Sequence, residues 1–142
     1  YNRVLKSNLS SEKIINIISK NFKIKKIKNN SKCLKKGFLE MYMSNQWYLL
    51  KQIKKNHKLD VTILHQKIIS KIKASNIDFI SGINGSNHLK ILVNSKKFNI
   101  AFKLSPTNIS SVMRIADKKR FMPPKSTWFH PKPLDGLICS EL

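Results

Sequence analysis

The pattern of apolar and polar positions predicts short helices and strands that alternate along the chain. Residues 1–6 alternate weakly and predict an opening strand. Isoleucines then recur at helical spacing, which predicts a helix over 11–21 with Ser10 as its N-cap. The KIKKI run that follows predicts a second strand over 23–27.

The clearest strand signal is a β-hairpin in the stretch GFLEMYMSNQWYLLKQI. Apolar and polar side chains alternate on both sides of Ser-Asn-Gln, a set of residues that favours turns. The pattern predicts strands over 37–43 and 47–53. Beyond them, Asp60 is in position to cap a helix over 61–72, whose apolar residues fall on one side.

The second half of the chain repeats the order of a strand followed by a helix. A strand over 76–80 leads through a glycine turn to a short helix over 87–95. A strand over 98–105 then precedes a helix over 109–119.

The helix over 109–119 begins after Thr107 or Asn108, either of which can cap it. Its predicted packing side consists of Val112, Met113, Ile115 and Ala116. A last strand is predicted in LDGLICSEL at the C-terminus.

Interleaved strands and helices, without an internal repeat or linker, predict one domain over 1–142, which is long enough to bury a core. The economical arrangement is an α+β fold with a single mixed β-sheet that contains the hairpin and is covered by three to four helices. No apolar run approaches the roughly 20 residues that span a bilayer, and no signal peptide is recognisable. We therefore expect a cytoplasmic protein without a membrane partner.

Charge is the strongest compositional feature, since 28 basic and 7 acidic residues give a net charge of +21. Such a charge is typical of nucleic-acid-binding proteins. However, 25 of the basic residues are Lys, whereas base reading and bidentate phosphate contacts favour Arg. Lys, Asn and Ile make up 58 residues and all have A/T-rich codons, so drift of the coding sequence explains the excess and argues against nucleic acid. Nucleic-acid binding is the alternative, and it predicts that the lysines of residues 23–36 and 51–58 meet on one face.

No catalytic or metal-binding motif is evident. Cys33 and Cys139 lie far apart and outside any Cys-x-x-Cys pattern, so reduced thiols are expected rather than a disulfide. The carboxylates show no diagnostic spacing, so catalytic residues, cofactor and enzymatic activity are not assigned. The histidines also lack metal-ligand spacing, and they are His57, His65, His88 and His130.

The glycine turn at residues 82–86, Gly-Ile-Asn-Gly-Ser, lies between a predicted strand and a predicted helix. Glycines allow a tight turn, and the N-terminus of the next helix presents unpaired N–H groups and a partial positive charge. Such a turn can cradle a phosphate, although it matches neither the Walker nor the dinucleotide-binding pattern. An ordinary strand-to-helix turn is the simpler interpretation.

The C-terminal stretch FMPPKSTWFHPKPLDGL holds four of the five prolines. Pro123 and Pro124 enforce an extended backbone, and Lys125, Ser126 and Thr127 follow with an ammonium and two hydroxyls that can hold an anion. The same rigidity suits a brace that closes the domain. Composition alone does not choose between the two roles.

Three stretches in this order resemble a known family: LDVTILHQKII, then IDFISGINGSNHL, then NIAFKLSPTNISSVMRIADKKRFMPPKSTWFHPKPLDGL. Together with YNRVLKSNLS and MYMSNQWYLL they resemble the C-terminal part of the bacterial and archaeal family catalogued as domain of unknown function 1015. Its members are longer and carry an upstream Ala-Asp-Gly-His-His-Arg signature similar to motifs of the ParB-like fold, which includes a free-serine kinase. The resemblance implies the C-terminal portion of a longer, phosphotransferase-like protein, or a shortened descendant of one.

The resemblance can be followed at single positions. His130 and Asn2 depart from the family's usual residues. Those that match are Arg3, Gly82, Gly85, Pro123, Pro124, Lys125, Ser126, Thr127, Pro131, Lys132 and Gly136.

The combined prediction is a module that binds a phosphate-bearing small molecule. Besides the nucleic-acid-binding alternative, a structural remnant without activity is possible, which would pack on an N-terminal domain or subunit and expose a large apolar patch. The candidate ligand-binding residues are Gly82, Gly85, Ser86, Lys125, Ser126, Thr127 and Arg3.

Overall fold

Strands that pair into one sheet form the centre of the protein. The computed structural model describes residues 1–30, 34–54 and 58–127. The strands of this part are β1 (Asn2–Ser7), β2 (Phe22–Ile27), β3 (Phe38–Met43), β4 (Gln46–Gln52), β5 (Ala74–Ile80) and β6 (Ile100–Lys103).

Helices connect most of these strands. A π-helical turn (His65–Ile69) joins the second helix to the third, and a 3-10 turn (Gly82–Asn84) precedes the fourth. The α-helices are α1 (Ser11–Ser19), α2 (Asp60–Leu64), α3 (Ser70–Ile72), α4 (Gly85–Asn94) and α5 (Ile109–Asp117).

The strand order is β2-β4-β3-β6-β1-β5, and all neighbouring strands are antiparallel. Strand β1 is therefore an interior strand, between β6 and β5, and β2 and β5 are the edges. The predicted α+β fold, with a single sheet, a hairpin and covering helices, is confirmed.

The predicted hairpin is β3–β4, and its turn consists of two residues. Ser44 and Asn45 have φ angles of 51° and 58°, the left-handed backbone that a two-residue type I′ turn needs at both positions. Gln46 therefore pairs with Met43 at the start of β4, and its assignment to the turn was wrong.

The larger core lies between one face of the sheet and the helices α1, α2 and α3. Ile14 and Ile18 of α1 are buried here, next to the strand residues Leu5 and Phe102. Fully burying such a side chain contributes about 1.5–3 kcal/mol relative to leaving it exposed. The helical stretch from α2 to α3 adds Ile63, Leu64, Ile68, Ile69 and Ile72.

A smaller core lies on the opposite face, under α4. Leu89 and Val93 of this helix pack with Val4, and the rings of Tyr42 and Trp47 lie beside them with centroids 5.0 Å apart. Helices therefore cover the sheet on both faces.

Asp60 does not cap its helix as the sequence predicted. Leu59 is the N-cap of α2, and no side chain caps it. Asp60 is the first helical residue, and its carboxylate turns toward the sheet because three strand ends offer it donors there. The predicted Asn108 cap of α5 is confirmed, since its side chain accepts a hydrogen bond from the Ser111 N–H.

The predicted packing side of α5 is wrong in part. Val112 and Ile115 are half-buried, but Ala116 is exposed and Met113 is 61% exposed. Ile109, one turn before Met113, is 67% exposed. Helix α5 therefore buries only part of its apolar surface and presents the remainder outward.

Several predictions lie outside the described residues and stay predictions. They include the C-terminal strand, the second half of the proline stretch from Trp128 onward, and the state of Cys33 and Cys139.

Candidate functional site at the end of the sheet

A cavity of about 510 Å³ lies at the end of the sheet where β1 and β3 begin and β5 and β6 end. We call it the end cavity. Asn2 belongs to its wall at the start of β1, Gly82 after β5, and Ser105 after β6. Asp60 of α2 and Ser111 of α5 complete it on the helical side. Residues distant in sequence meet here because antiparallel strands bring the start of one strand beside the end of the next.

Asp60 organises one wall of the end cavity. The side chain is buried, and both of its oxygens accept from the Gly37 N–H at 3.1 Å. Gln52 Nε2 donates to Oδ1 at 3.0 Å, and the Ser105 hydroxyl donates to Oδ2 at 2.7 Å. These bonds join α2 to residues at the start of β3, the end of β4 and the end of β6. A buried carboxylate needs such donors, and with them it acts as a structural hub.

The start of α5 forms a second wall. The Ser111 N–H donates to Asn108 Oδ1 at 2.9 Å, whereas the N–H groups of Ile109 and Ser110 precede the first intrahelical hydrogen bonds. Ser111 is only 7% exposed, and its hydroxyl makes no hydrogen bond to another described residue. This end of α5 therefore offers the cavity the hydroxyl of a buried serine and the positive end of a helix dipole.

The segment over residues 123–127, which we call the proline segment, is fastened to the sheet by backbone contacts. Arg3 Nη2 donates to the carbonyls of Pro124 and Lys125, at 3.4 and 3.3 Å. The Ser126 hydroxyl donates to the Pro123 carbonyl at 2.6 Å, and the Thr107 hydroxyl donates to the Ser126 carbonyl at 2.8 Å. The segment is thus braced, and Ser126 and Thr127 are held at the cavity wall.

Arg3 serves this brace. Nη1 donates to the carbonyls of Tyr1 and Asn2, at 2.9 and 3.3 Å. Burial lowers the pKa of Arg3 to about 10, and the guanidinium therefore remains charged at neutral pH. Since its contacts are to carbonyl groups of the chain and it is outside the cavity wall, Arg3 positions other residues.

Lys125 does not line the end cavity. Its Nζ lies 5.5 Å from the ring centroid of Phe79 and 5.9 Å from that of Tyr1. The residue is exposed and has a φ of 47°, so the backbone turns here and directs the side chain onto the aromatic rings.

The glycine turn contributes one of its three candidate residues to the cavity. Gly82 lines it, whereas Gly85 and Ser86 do not. Gly85, the first residue of α4 after the 3-10 turn, has a φ of 69°, and the Ser86 hydroxyl accepts from Asn30 Nδ2 at 2.7 Å. The helices that begin at the cavity are α2 and α5, whereas α4, the helix that the glycine turn precedes, does not.

The structure thus brings Gly82, Ser126 and Thr127 to one cavity and leaves four candidates elsewhere. Sequence reasoning missed several wall residues because polar residues after a strand or before a helix look like ordinary connectors. The sequence signal that could have found them is the end of a predicted strand followed at once by the start of a predicted helix, within residues 104–109. The wall residues that were missed are Lys36, Asp60, Ser105, Thr107, Asn108 and Ser111.

The described residues contain no group of three or more His, Cys, Asp or Glu side chains that could hold a metal ion. Across the same part of the chain, no helix combines the length and apolar character needed to cross a membrane.

No protein-family model, no curated protein and no solved structure matches this chain. The resemblance to the domain of unknown function 1015 family therefore stays a prediction.

Proposed function

We propose that this domain binds a small phosphate-bearing molecule in the end cavity, as the C-terminal half of a phosphotransferase-like protein. The observation that carries the proposal is the start of α5 at the cavity wall, with the hydroxyl of the buried residue Ser111 beside it. A helix N-terminus favours anions through its free N–H groups and its dipole. Because this hydroxyl makes no hydrogen bond to another described residue, it is a donor for the same anion.

Size and composition of the cavity agree with this ligand class. A volume of about 510 Å³ lies within the range of about 300–1,000 Å³ that is common for small-molecule sites. Thr127 and Lys36 add a further hydroxyl and an ammonium to the wall. Leu59, Val61 and Leu104 supply apolar surface for the uncharged part of a ligand.

Asp60 restricts where the anionic group sits. A carboxylate disfavours a second negative charge placed against it. Its oxygens already accept four hydrogen bonds, which reduces this repulsion without removing it. The proposal therefore assigns the phosphate to the start of α5 and the rest of the ligand to the wall near Asp60.

Thermal unfolding with inorganic phosphate and with a nucleoside monophosphate tests the proposal. Binding raises the free energy of unfolding by about 2.7 kcal/mol at a ligand concentration of 100 times Kd, which shifts Tm by several degrees. Chloride at matched ionic strength is the control, because any anion screens the charge of a protein with a net charge of +21. Equal shifts with chloride and phosphate would contradict specific binding.

Two matched pairs of variants locate the site. Ser111→Ala should abolish most of the phosphate-dependent shift, while Ser110→Ala, one residue earlier on the exposed side of α5, should keep it. Lys36→Gln should weaken it, while Lys35→Gln, exposed and outside the wall, should not. A shift that survives both Ser111→Ala and Lys36→Gln would place the anion elsewhere on the protein.

A further inference from the structure

The two lysine-rich stretches meet at one point of the sheet, where the start of β2 pairs with the end of β4. Lys23 is the direct register partner of Lys51. Lys25 follows two residues after Lys23 and thus projects from the same face. All three are exposed, and none makes an ion pair with another described residue. We call Lys23, Lys25 and Lys51 the lysine face.

Like charges directly opposite each other destabilise a strand pair. Lys23 and Lys51 nevertheless occupy opposite positions, and the only carboxylate on this face of β3 is that of Glu40, which is fully buried against Lys103 with Nζ 3.5 Å from Oε2. A polyanion that lies across the two strands would relieve this repulsion. The net charge of +21 would attract the same partner over a longer distance.

An aromatic ring stands next to the lysine face. Phe38 of β3 is the register partner of Lys51, and the Lys51 Nζ lies 5.7 Å from its ring centroid. Phe38 is half-buried, so part of the ring remains accessible. A sheet surface with cationic side chains and an accessible aromatic ring suits single-stranded nucleic acid, whose bases stack on the ring while its phosphates contact the lysines.

We infer that the lysine face and Phe38 form a binding surface for single-stranded nucleic acid, separate from the end cavity. The excess of Lys from A/T-rich codons predicts lysines spread over the whole surface, and it gives no reason for three of them to share one face beside an aromatic ring. None of these residues lines the end cavity, so the inference does not depend on the phosphate-binding proposal.

A labelled oligodeoxythymidylate, titrated in fluorescence anisotropy over a range of salt concentrations, tests this surface. Three lysine contacts to a single strand account for a slope of about 2 in the plot of log K against log salt, and for about a 10- to 100-fold change in affinity near 0.1 M salt. The triple variant Lys23→Gln, Lys25→Gln, Lys51→Gln should lose this part of the slope and this part of the affinity. Phe38→Leu should weaken binding at unchanged slope, because stacking does not depend on salt.

The matched control is the triple variant Lys13→Gln, Lys67→Gln, Lys71→Gln, which removes the same charge from exposed helical positions. It should keep nearly the wild-type slope. Melting curves establish whether each variant is folded. If the triple variant is unfolded, the single variant Lys51→Gln replaces it, with an expected loss of about 0.7 in slope. Equal losses in both triple variants would overturn the inference, since net charge alone would then explain binding. No binding of the oligonucleotide, or binding only of anionic lipid vesicles, would overturn it as well.

Discussion

The guanidinium of Arg3 lies over the ring of Phe79, with Cζ 4.4 Å from the ring centroid, and the two residues are register partners in β1 and β5. The same guanidinium donates to the carbonyls of Pro124 and Lys125. One buried side chain therefore joins the sheet to the proline segment.

Replacing Arg3 should destabilise the fold and release the proline segment. We expect Arg3→Met to lower the free energy of unfolding by about 2–4 kcal/mol, because the carbonyls that it serves lose a charged donor. Arg3→Lys should lower the free energy of unfolding by less, because lysine keeps the charge but only part of the forked donor geometry. Urea denaturation measures both.

Limited trypsin digestion gives an independent readout of the same contact. Release of the proline segment should speed cleavage after the exposed Lys125 in Arg3→Met. Arg120→Met, at an exposed position, is the control and should change stability by no more than about 0.5 kcal/mol. If Arg3→Met behaves like the control, Arg3 does not hold the proline segment on the sheet.

Asp60→Ala should be among the most destabilising single changes in the described part of the chain. It removes the acceptor of the Gly37 N–H, Gln52 Nε2 and the Ser105 hydroxyl, and we expect a loss of about 3 kcal/mol. Chemical denaturation checks this value against Asp117→Ala, an exposed carboxylate at the end of α5. Equal stability of the two variants would show that the buried hydrogen bonds contribute nothing net.

The two glycines of the 82–86 turn should respond differently to Ala. Gly85 has φ 69° and ψ 177°, a conformation open almost only to glycine, so Gly85→Ala should cost about 1–3 kcal/mol. A Cβ at Gly82 meets no atom within 4 Å, and Gly82→Ala should stay within about 0.5 kcal/mol of the parent. Thermal melts of the pair decide the matter, and a larger loss for Gly82→Ala would refute this assignment.

The exposed apolar residues after the sheet offer a test of the structural-module alternative. Met113 is 61% and Phe121 99% exposed, so Met113→Gln with Phe121→Gln should leave the unfolding free energy unchanged within about 0.5 kcal/mol per site. If these exposed side chains pack against a partner domain, the double variant should also be more soluble in isolation. A loss of more than about 1 kcal/mol would mean that these side chains are packed in solution.

Local patterns in the sequence predicted the elements well, because period-two and period-3.6 spacing reflects burial on one face. The hairpin and the helix predicted over 61–72, which the structure has as α2, a π-helical turn and α3, are examples. Asp60 escaped prediction because its partners come from three other segments, and only the tertiary fold determines that they offer donors. Met113 was assigned to a packing side because amphipathic spacing cannot tell which part of an apolar stripe finds a neighbour.

The candidate site was predicted in part for the same reason. Gly82, Ser126 and Thr127 belong to loops whose composition is typical of ligand contacts, and the fold brings them to one cavity. Gly85 instead provides a backbone conformation that favours glycine, and Lys125 contacts aromatic rings. Loop composition does not distinguish these roles from ligand binding. Ser111 carried no signal at all, since a Ser in the first turn of a helix is common.

The interior position of β1 also bears on the order in which the strands pair during folding. Its partners β5 and β6 begin at Ala74 and Ile100, whereas β3 and β4 meet across a two-residue turn. Closing long loops is slow compared with closing a hairpin. Strand β1 therefore stays unpaired until β5 and β6 can reach it, and pulsed hydrogen exchange during refolding should protect the amides of β3 and β4 before those of β1.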